Sequence, residues 1–549
     1  MSEDRSWPSA GLMRAGPEAR AMDGDEGGGR APVVIVRPTT NVTSGVAVTQ
    51  KLVTAAVAFG DLLKGTFGPN GLDKMLYKTN GETAITNDGA RIVADLLVKH
   101  PAAKSFVSLA EGQEDACGDG VTGCLILAAE LMREGGRLLE RSLHPLTLVD
   151  GYRAALDVAL QVAESRAVDA TTAGRSRWID VALTAMTGTS AEAGGAALAG
   201  LVVDAALQVH NPDLPSTGHE RVRMAKRGDG AMDSSTLLKG IVLERRVALD
   251  RQARRLSNVR VAAITRALTL EKGVRETEIE VRDVAQLDAF MDAEEALLDD
   301  LVARLLATEA RFIACAKEVD ARVLHRLVDA GCVVLADLER AGIEDVADVC
   351  GATLCEHLDD LTLEALGHLD RFEVETMEGE DGRRERLHLE HSGSRLATID
   401  VGGGHGTATE EVIRGLFDAL RSVLGGMDSG RLLLGGGSLH VAAALAVREA
   451  AEAATGRQRL AMEAYARALE AVPGTLVENA GADRLDVLLE LRAAHRNGTA
   501  EAGVGLDGTS CPITSAWSNA FTLEHALDVA TESVCGLLRI DQVISARGD

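Results

Sequence analysis

The chain has 549 residues, too many for one ordinary core, so two to four domains are expected. Its 46% hydrophobic and 26% charged residues fit a soluble globular protein, and 3% aromatics leave Leu, Val, Ile and Ala to build the cores. A formal net charge of −26 repels phosphate backbones and anionic lipid, which argues against nucleic acid and membrane as partners.

Residues 1–31 have no apolar h-region and too little apolar surface to fold, so they read as a disordered leader, with Met22 an alternative start. No apolar run reads as a bilayer span. The eight scattered cysteines read as reduced thiols in a cytoplasmic protein. Val48, Leu52, Ala55, Phe59 and Leu62 recur at helical spacing, and Gly65, Gly68 and Pro69 end that helix. Lys74–Tyr77 and Thr83–Thr86 read as short strands, followed by a turn at Asn87-Asp88-Gly89. A second helix starts after Gly118-Asp119-Gly120, with Cys124, Leu127, Leu131, Gly135 and Leu138 on one face.

The middle of the chain has a different texture. Lys239–Val247 and Val259–Thr265 read as strands. Leu287, Phe290, Met291, Leu298, Leu301, Val302 and Leu305 mark a long amphipathic helix, which makes Leu287 and Phe290 primarily core. The acidic pairs Glu294-Glu295 and Asp299-Asp300 read as its solvated face. Strands and helices alternate through 311–355, as in an α/β domain. Cys350 and Cys355, with His388 and His391 beyond, are spaced too loosely for a zinc site, and the thiols read as small buried hydrophobes. Helical character returns after Val401.

Four glycine-marked turns carry the chemistry: 65–71, 87–89, 118–123 and the triplet Gly435-Gly436-Gly437. Glycine lets backbone N–H groups approach a ligand. The third turn opens a helix, whose N-terminal amides favour phosphate, and Asp119 there can hold Mg²⁺, a hard cation that takes carboxylate and phosphate oxygens together. None is a Walker A loop. His405, among glycines, reads as a loop residue.

Context sharpens these turns. GTFGPNGLDKML (65–76), TNDGARIV (86–93), HPAAK (100–104), CGDGVTG (117–123), HPLTLVDGYRAAL (144–156), LLKGIVLERRV (237–247), LLLGGGSLHVAAALAVRE (432–449), LAMEAYARALEAVPGTLVENAGADRLD (460–486) and LRIDQVISA (538–546) resemble the group II chaperonin family, in order and at similar spacing. The resemblance implies a multi-domain fold. A mainly α-helical, discontinuous equatorial domain would take 32–150 and 405–549. A small α/β intermediate domain would take 151–217 and 369–404, and an α/β apical domain 218–368, with a helical protrusion near 270–295. It implies an ATP-dependent chaperone that encloses and folds unfolded polypeptides in a double ring of identical or related subunits, with ATP and Mg²⁺ as cofactors. Gly68 and Pro69 match the first phosphate loop. Asp88 matches an aspartate that helps position attacking water, and Asp119 matches the Mg²⁺ ligand. Gly120, Val121 and Thr122 would line the phosphates, and Gly436 would contact the nucleoside.

Departures point to slow hydrolysis. Val121 and Gly123 replace two of three hydroxyl residues, and Thr189 stands where the family has a lysine for the γ-phosphate. The catalytic intermediate-domain aspartate falls on Glu410, beside Glu411, after an apparent one-residue insertion in Gly402–Thr409. The alternative function is a hydrolysis-impaired subunit, acting as a scaffold or passive holdase in mixed rings. A small-molecule kinase has only the glycine turns in its favour.

Overall fold

The structure is a computed structural model that describes residues 40–77, 81, 83–96, 101–212, 218–228, 230–270, 284–379, 382–403 and 407–546. The leader 1–31, His405 and 271–283 of the expected protrusion lie outside these.

Strand β1 (Thr40–Ser44) leads into α1 (Val46–Lys64). The buried stripe of α1 is Val48, Leu52, Ala56 and Leu63, whereas Leu62 is 38% exposed. The helix face is set by Gly60, where a Cβ would collide with Ala129. β2 (Lys74–Tyr77) and β3 (Thr83–Thr86) form an antiparallel hairpin at the expected positions. Then come α2 (Gly89–Asp95), α3 (Pro101–Cys117), α4 (Val121–Glu140) and α5 (Pro145–Arg166). All five residues expected on the inner face of α4 are buried.

The chain next forms β4 (Val168–Asp169), α6 (Arg175–Met186), α7 (Gly195–Val209), β5 (Val222–Lys226) and β6 (Thr236–Leu238). An α/β unit follows: β7 (Gly240–Glu244), β8 (Arg255–Ile264), α8 (Val284–Ala307), β9 (Phe312–Cys315), α9 (Ala321–Asp329), β10 (Val333–Leu335), α10 (Arg340–Cys350), β11 (Leu354–Cys355), β12 (Gly367–Gly379) and β13 (Gly382–Glu390). Its seven-stranded sheet runs β10-β9-β8-β12-β13-β7, with β11 on β8. Every residue of β9 and β10 is buried. Alternate residues enter two different cores, Phe312 and Ala314 on one face, Ile313 and Cys315 on the other. Both faces are covered, which is why these strands read as unbroken apolar runs.

β14 (Ala397–Val401) returns to pair with β5 and β6, and α11 (Thr407–Ser429) packs on α6 and α7. β15 (Arg431–Leu434) then crosses between bodies: Leu432 joins the core of α6, α7 and α11, and Leu433 joins that of α1, α4 and α5. The chain closes with α12 (Ser438–Ala453), α13 (Gln458–Leu469), α14 (Ala471–Asn479), α15 (Arg484–Arg496), β16 (Ala502–Val504), β17 (Ser510–Pro512), β18 (Trp517–Asn519), α16 (Ala520–Leu538) and β19 (Gln542–Ala546), which pairs antiparallel with β1.

Packing groups several elements across the expected domain divisions. α5 runs unbroken through 151 and buries Tyr152, Ala155, Ala159 and Ala163 in the first core. Gly151 is a close helix contact, since a Cβ there would collide with Ala461. β5 and β6, assigned to the apical unit, belong with β14. β12 and β13, assigned to the intermediate unit, pair with β8 and β7 of the large sheet. α11, assigned to the equatorial unit, contributes Val412, Leu416, Leu420 and Val423 to the second core.

Two further expectations change. In α8, Leu298, Val302 and Leu305 are buried, but Leu287, Phe290, Met291 and Leu297 are 46%, 50%, 57% and 62% exposed, because the sheet covers only the C-terminal half of the helix. One segment, Ser190–Val209, is apolar and long enough by composition to cross a membrane, contrary to the sequence reading. Its Leu198, Val202, Val203 and Val209 pack in the second core.

Candidate functional site

The three N-terminal glycine turns meet at one cleft of about 200 Å³, between the first body and α6 and α11 of the second. The first turn begins where α1 ends. Thr66 Oγ1 donates to Leu63 O at 2.8 Å, and Asn479 Nδ2 donates to the carbonyls of Lys64 and Phe67 at 2.8 Å each. Gly68, at φ +80°, lies against Leu476, and a Cβ there would have no room. Gly68 lines the cleft; Pro69 sits at its rim, beside Gly188.

Asp88 caps α2 by accepting from Ala90 N at 2.9 Å, and its second oxygen accepts from Arg414 Nη1 at 3.2 Å. Gly89 allows α2 to abut Thr122 at the start of α4, where a side chain would collide. Gly118 and Gly120 adopt left-handed φ of +68° and +81°, a conformation glycine takes at no steric cost. The turn aims the N-terminus of the 20-residue α4 into the cleft. Asp119 Oδ1 accepts from Gly120 N at 2.6 Å. Burial pushes its carboxyl up to about 6, with Asp88 adding to the rise against the Gly120 hydrogen bond.

The second body closes the cleft with Thr184–Thr189 and with Asp418 of α11. Burial, then the charges of Asp88, Glu114 and Asp119, push the Asp418 carboxyl well above the usual range. Glu114 is raised by burial and then by Asp88. Among the described residues the lining thus holds four carboxylates and neither lysine nor arginine. A bare polyphosphate would be repelled here, whereas its complex with a divalent cation fits. Among the described residues no group of three His, Cys, Asp or Glu is arranged to hold a metal alone. Mg²⁺ takes one or two carboxylates and completes its shell with phosphate and water, so Asp119 with one neighbouring carboxylate of the cleft could hold it.

Asp88, Asp119, Gly120, Val121 and Thr122 all line the cleft, as does Gly68. Glu410 does not. It is 53% exposed and bonded to Lys226 Nζ at 2.6 Å, which holds its carboxyl below the usual range. Glu411 is also engaged, accepting from Thr86 Oγ1 at 3.0 Å and pairing with Arg91. The carboxylate that α11 presents is Asp418, two turns beyond Glu411 on the same helix face. An available signal was an acid set among buried Leu416, Ala419 and Leu420, where an unpaired charge is costly. Gly436 also lies outside the lining, at φ +61° against Val504 and Ile513. Thr189 is in place, but its hydroxyl donates to Met186 O at 2.7 Å and accepts from Ala191 N at 3.2 Å.

Cys350 and Cys355 are buried free thiols, and His388 and His391 bond Glu375 and Asp370 instead.

Comparison with known proteins places this cleft in context. The profile of the TCP-1/cpn60 chaperonin family matches residues 59–548. The chain is 33% identical to thermosome subunit alpha of Archaeoglobus fulgidus over 94% of this chain and 95% of that one. It is 32% identical to thermosome subunit beta of Methanothermobacter thermautotrophicus (94% and 95%) and to thermosome subunit 1 of Haloferax volcanii (94% and 92%).

Proposed function

The chain belongs to the TCP-1/cpn60 chaperonin family as a group II chaperonin, and from that premise we propose that its cleft hydrolyses Mg²⁺-ATP, slowly, to drive enclosure of unfolded polypeptide. It is a chaperonin subunit of ring assemblies, with related subunits as partners. The observation that carries the ATPase reading is the convergence of the α4 N-terminus, Asp88, Asp119 and Asp418 on one cleft.

In this reading the α4 amides and the turns at Gly68 and Gly120 bind phosphate oxygens. Asp119 and a second cleft carboxylate hold Mg²⁺, which when bound supplies positive charge to the phosphoryl oxygens. Asp418 orients water and takes its proton, a role suited to a carboxyl raised by its surroundings. Arg414 fixes Asp88 beside it. Thr189 contributes no positive charge where charge develops, so turnover is slow while binding is retained.

The cleft also supplies the coupling. Gly68, Asp88 and Asp119 stand on the first, equatorial body, and Thr189 and Asp418 on the second, intermediate one. Closing on nucleotide therefore draws the second body inward and swings the apical sheet with it. The exposed apolar residues of α8 suit unfolded clients. For ring contacts, β1 and β19 pair within the chain, so the exposed hairpin residues Met75, Tyr77 and Ile85, with Leu72 just before them, are the surface offered to a neighbour's sheet edge.

The test is steady-state ATP hydrolysis by the assembled protein with and without Mg²⁺, run beside recovery of a chemically denatured enzyme. Mg²⁺-dependent turnover with nucleotide-dependent recovery is expected. Absence of Mg²⁺-dependent nucleotide binding would overturn the reading.

A further inference from the structure

A second cavity, of about 440 Å³, lies on the sheet β18-β15-β4 that joins the first two bodies. Its walls come from the end of α5, from α6, from β15 and the start of α12, and from the segments flanking β16 and β17. Two arginines line it. Arg166 donates to Ala500 O at 2.7 Å and approaches His495 Nδ1 at 3.4 Å; Arg177 lies 4.2 Å from the centre of the Trp517 ring. Among the described residues neither guanidinium has a carboxylate partner. That is unusual in a chain with 83 acidic and 57 basic side chains, where most arginines on helices are paired. Among the described residues the one acid in the lining, Glu501, is exposed and bonded to neither. Burial also holds the Arg166 guanidinium below its usual range, so its surroundings do not supply the counter-charge it lacks.

The rest of the lining adds to the same preference. α12 begins at Ser438, and Ser438 and Leu439 face the cavity, which places the positive end of a 16-residue helix there. Val168, Leu434 and Ile513 supply an apolar wall. The nucleotide cleft is the reverse, with four carboxylates and no cation among the described residues. We propose that this cavity is a second ligand site, for a small organic molecule bearing a phosphate-class oxyanion, bound by Arg166 and Arg177 without a metal. The planar guanidinium fork matches such an oxyanion, and the volume is that of a small-molecule pocket. Arg166 belongs to the first body and Arg177 to the second, so an occupant bridges the two whose relative motion the chaperonin uses.

Pyrophosphate is the probe, titrated calorimetrically into the assembled protein in EDTA, where the carboxylate-lined cleft has no metal with which to recruit it. Saturable binding is expected, weakened at least tenfold by Arg177→Gln and progressively by added salt, and unchanged by Asp119→Ala. Arg177 is changed first because it makes a ring contact and no side-chain hydrogen bond, so its loss should leave the fold intact. Arg177→Lys, which keeps charge but not the fork, should bind with intermediate affinity. No saturable binding by the parent protein overturns the proposal. So does equal affinity in the parent, Arg177→Gln and Arg166→Gln, or loss of binding in Asp119→Ala, which would return the anion to the cleft.

Discussion

Exchanging two carboxylates on one helix separates the alternatives for the catalytic base. Asp418→Asn removes the carboxylate that α11 presents to the cleft, while Glu410→Gln removes one that faces Lys226. Loss of a general base costs about 10²–10⁴ in rate, or about 2.7–5.4 kcal/mol of transition-state stabilisation. Glu410 is 53% exposed and Lys226 42%, so their pair contributes no more than about 1 kcal/mol and lies outside the chemistry. Asp418→Asn should therefore slow single-turnover hydrolysis by at least about 10²-fold, and Glu410→Gln by less than about twofold. Affinity for Mg²⁺-ATP should survive in both. A second readout guards against misfolding: burial and three neighbouring acids disfavour the Asp418 charge, so the neutral amide should raise the melting temperature of the nucleotide-free protein. Rapid-quench measurement of phosphate release, with nucleotide binding measured separately, gives both rate and affinity. Equal slowing by the two substitutions, or undiminished hydrolysis in Asp418→Asn, would refute the assignment.

Four further outcomes follow from the geometry. Thr189→Lys should speed hydrolysis by about tenfold or more by placing a cation in the cleft. It should also cost about 1 kcal/mol of stability, since Thr189 caps the turn by accepting from Ala191 N; a differential melting measurement reads this. Asp119→Ala should abolish the Mg²⁺ dependence of nucleotide binding, measured by titration with and without EDTA. Glu470 is buried, which alone would raise its carboxyl, but Arg448 and Arg492 each donate twice at 2.5–2.6 Å and hold it below the usual range. Its stabilisation is thus complete above the unfolded value of about 4.3 and lost as pH falls through the lower folded value. Glu470→Gln should be less stable than the parent by about 3–5 kcal/mol at neutral pH, with the gap closing in acid unfolding below about pH 4. Met75→Ser with Tyr77→Ser, at 70% and 80% exposure, should leave the subunit folded but weaken rings, as read by native mass measurement.

What the sequence determined by itself was local. The stripe of α4, the hairpin at 74–86 and the glycine turns at 65–71, 87–89 and 118–123 stand where residue order placed them, because helical period, strand alternation and left-handed φ depend on near neighbours. With the family resemblance, that was enough to select Gly68, Asp88, Asp119, Gly120, Val121 and Thr122, which do meet in one cleft. Tertiary structure decided which acid of α11 faces it, although the apolar neighbours of Asp418 were a signal in the sequence. Glu410, Glu411 and Asp418 are equivalent as residue types, and the packing of Leu416, Ala419 and Leu420 rotates Asp418 inward and leaves Glu410 to Lys226. It also decided the divisions between bodies, since β14 pairs with strands some 160 to 175 residues earlier and β12 joins β8 across more than 100. The same holds for the arginine cavity. Arg166 and Arg177 lie at the ends of helices in different bodies, and only the crossing strand β15 brings the walls between them together. Short-range preference is written residue by residue, but which faces bury each other depends on contacts hundreds of residues apart, and those exist only once the chain has folded.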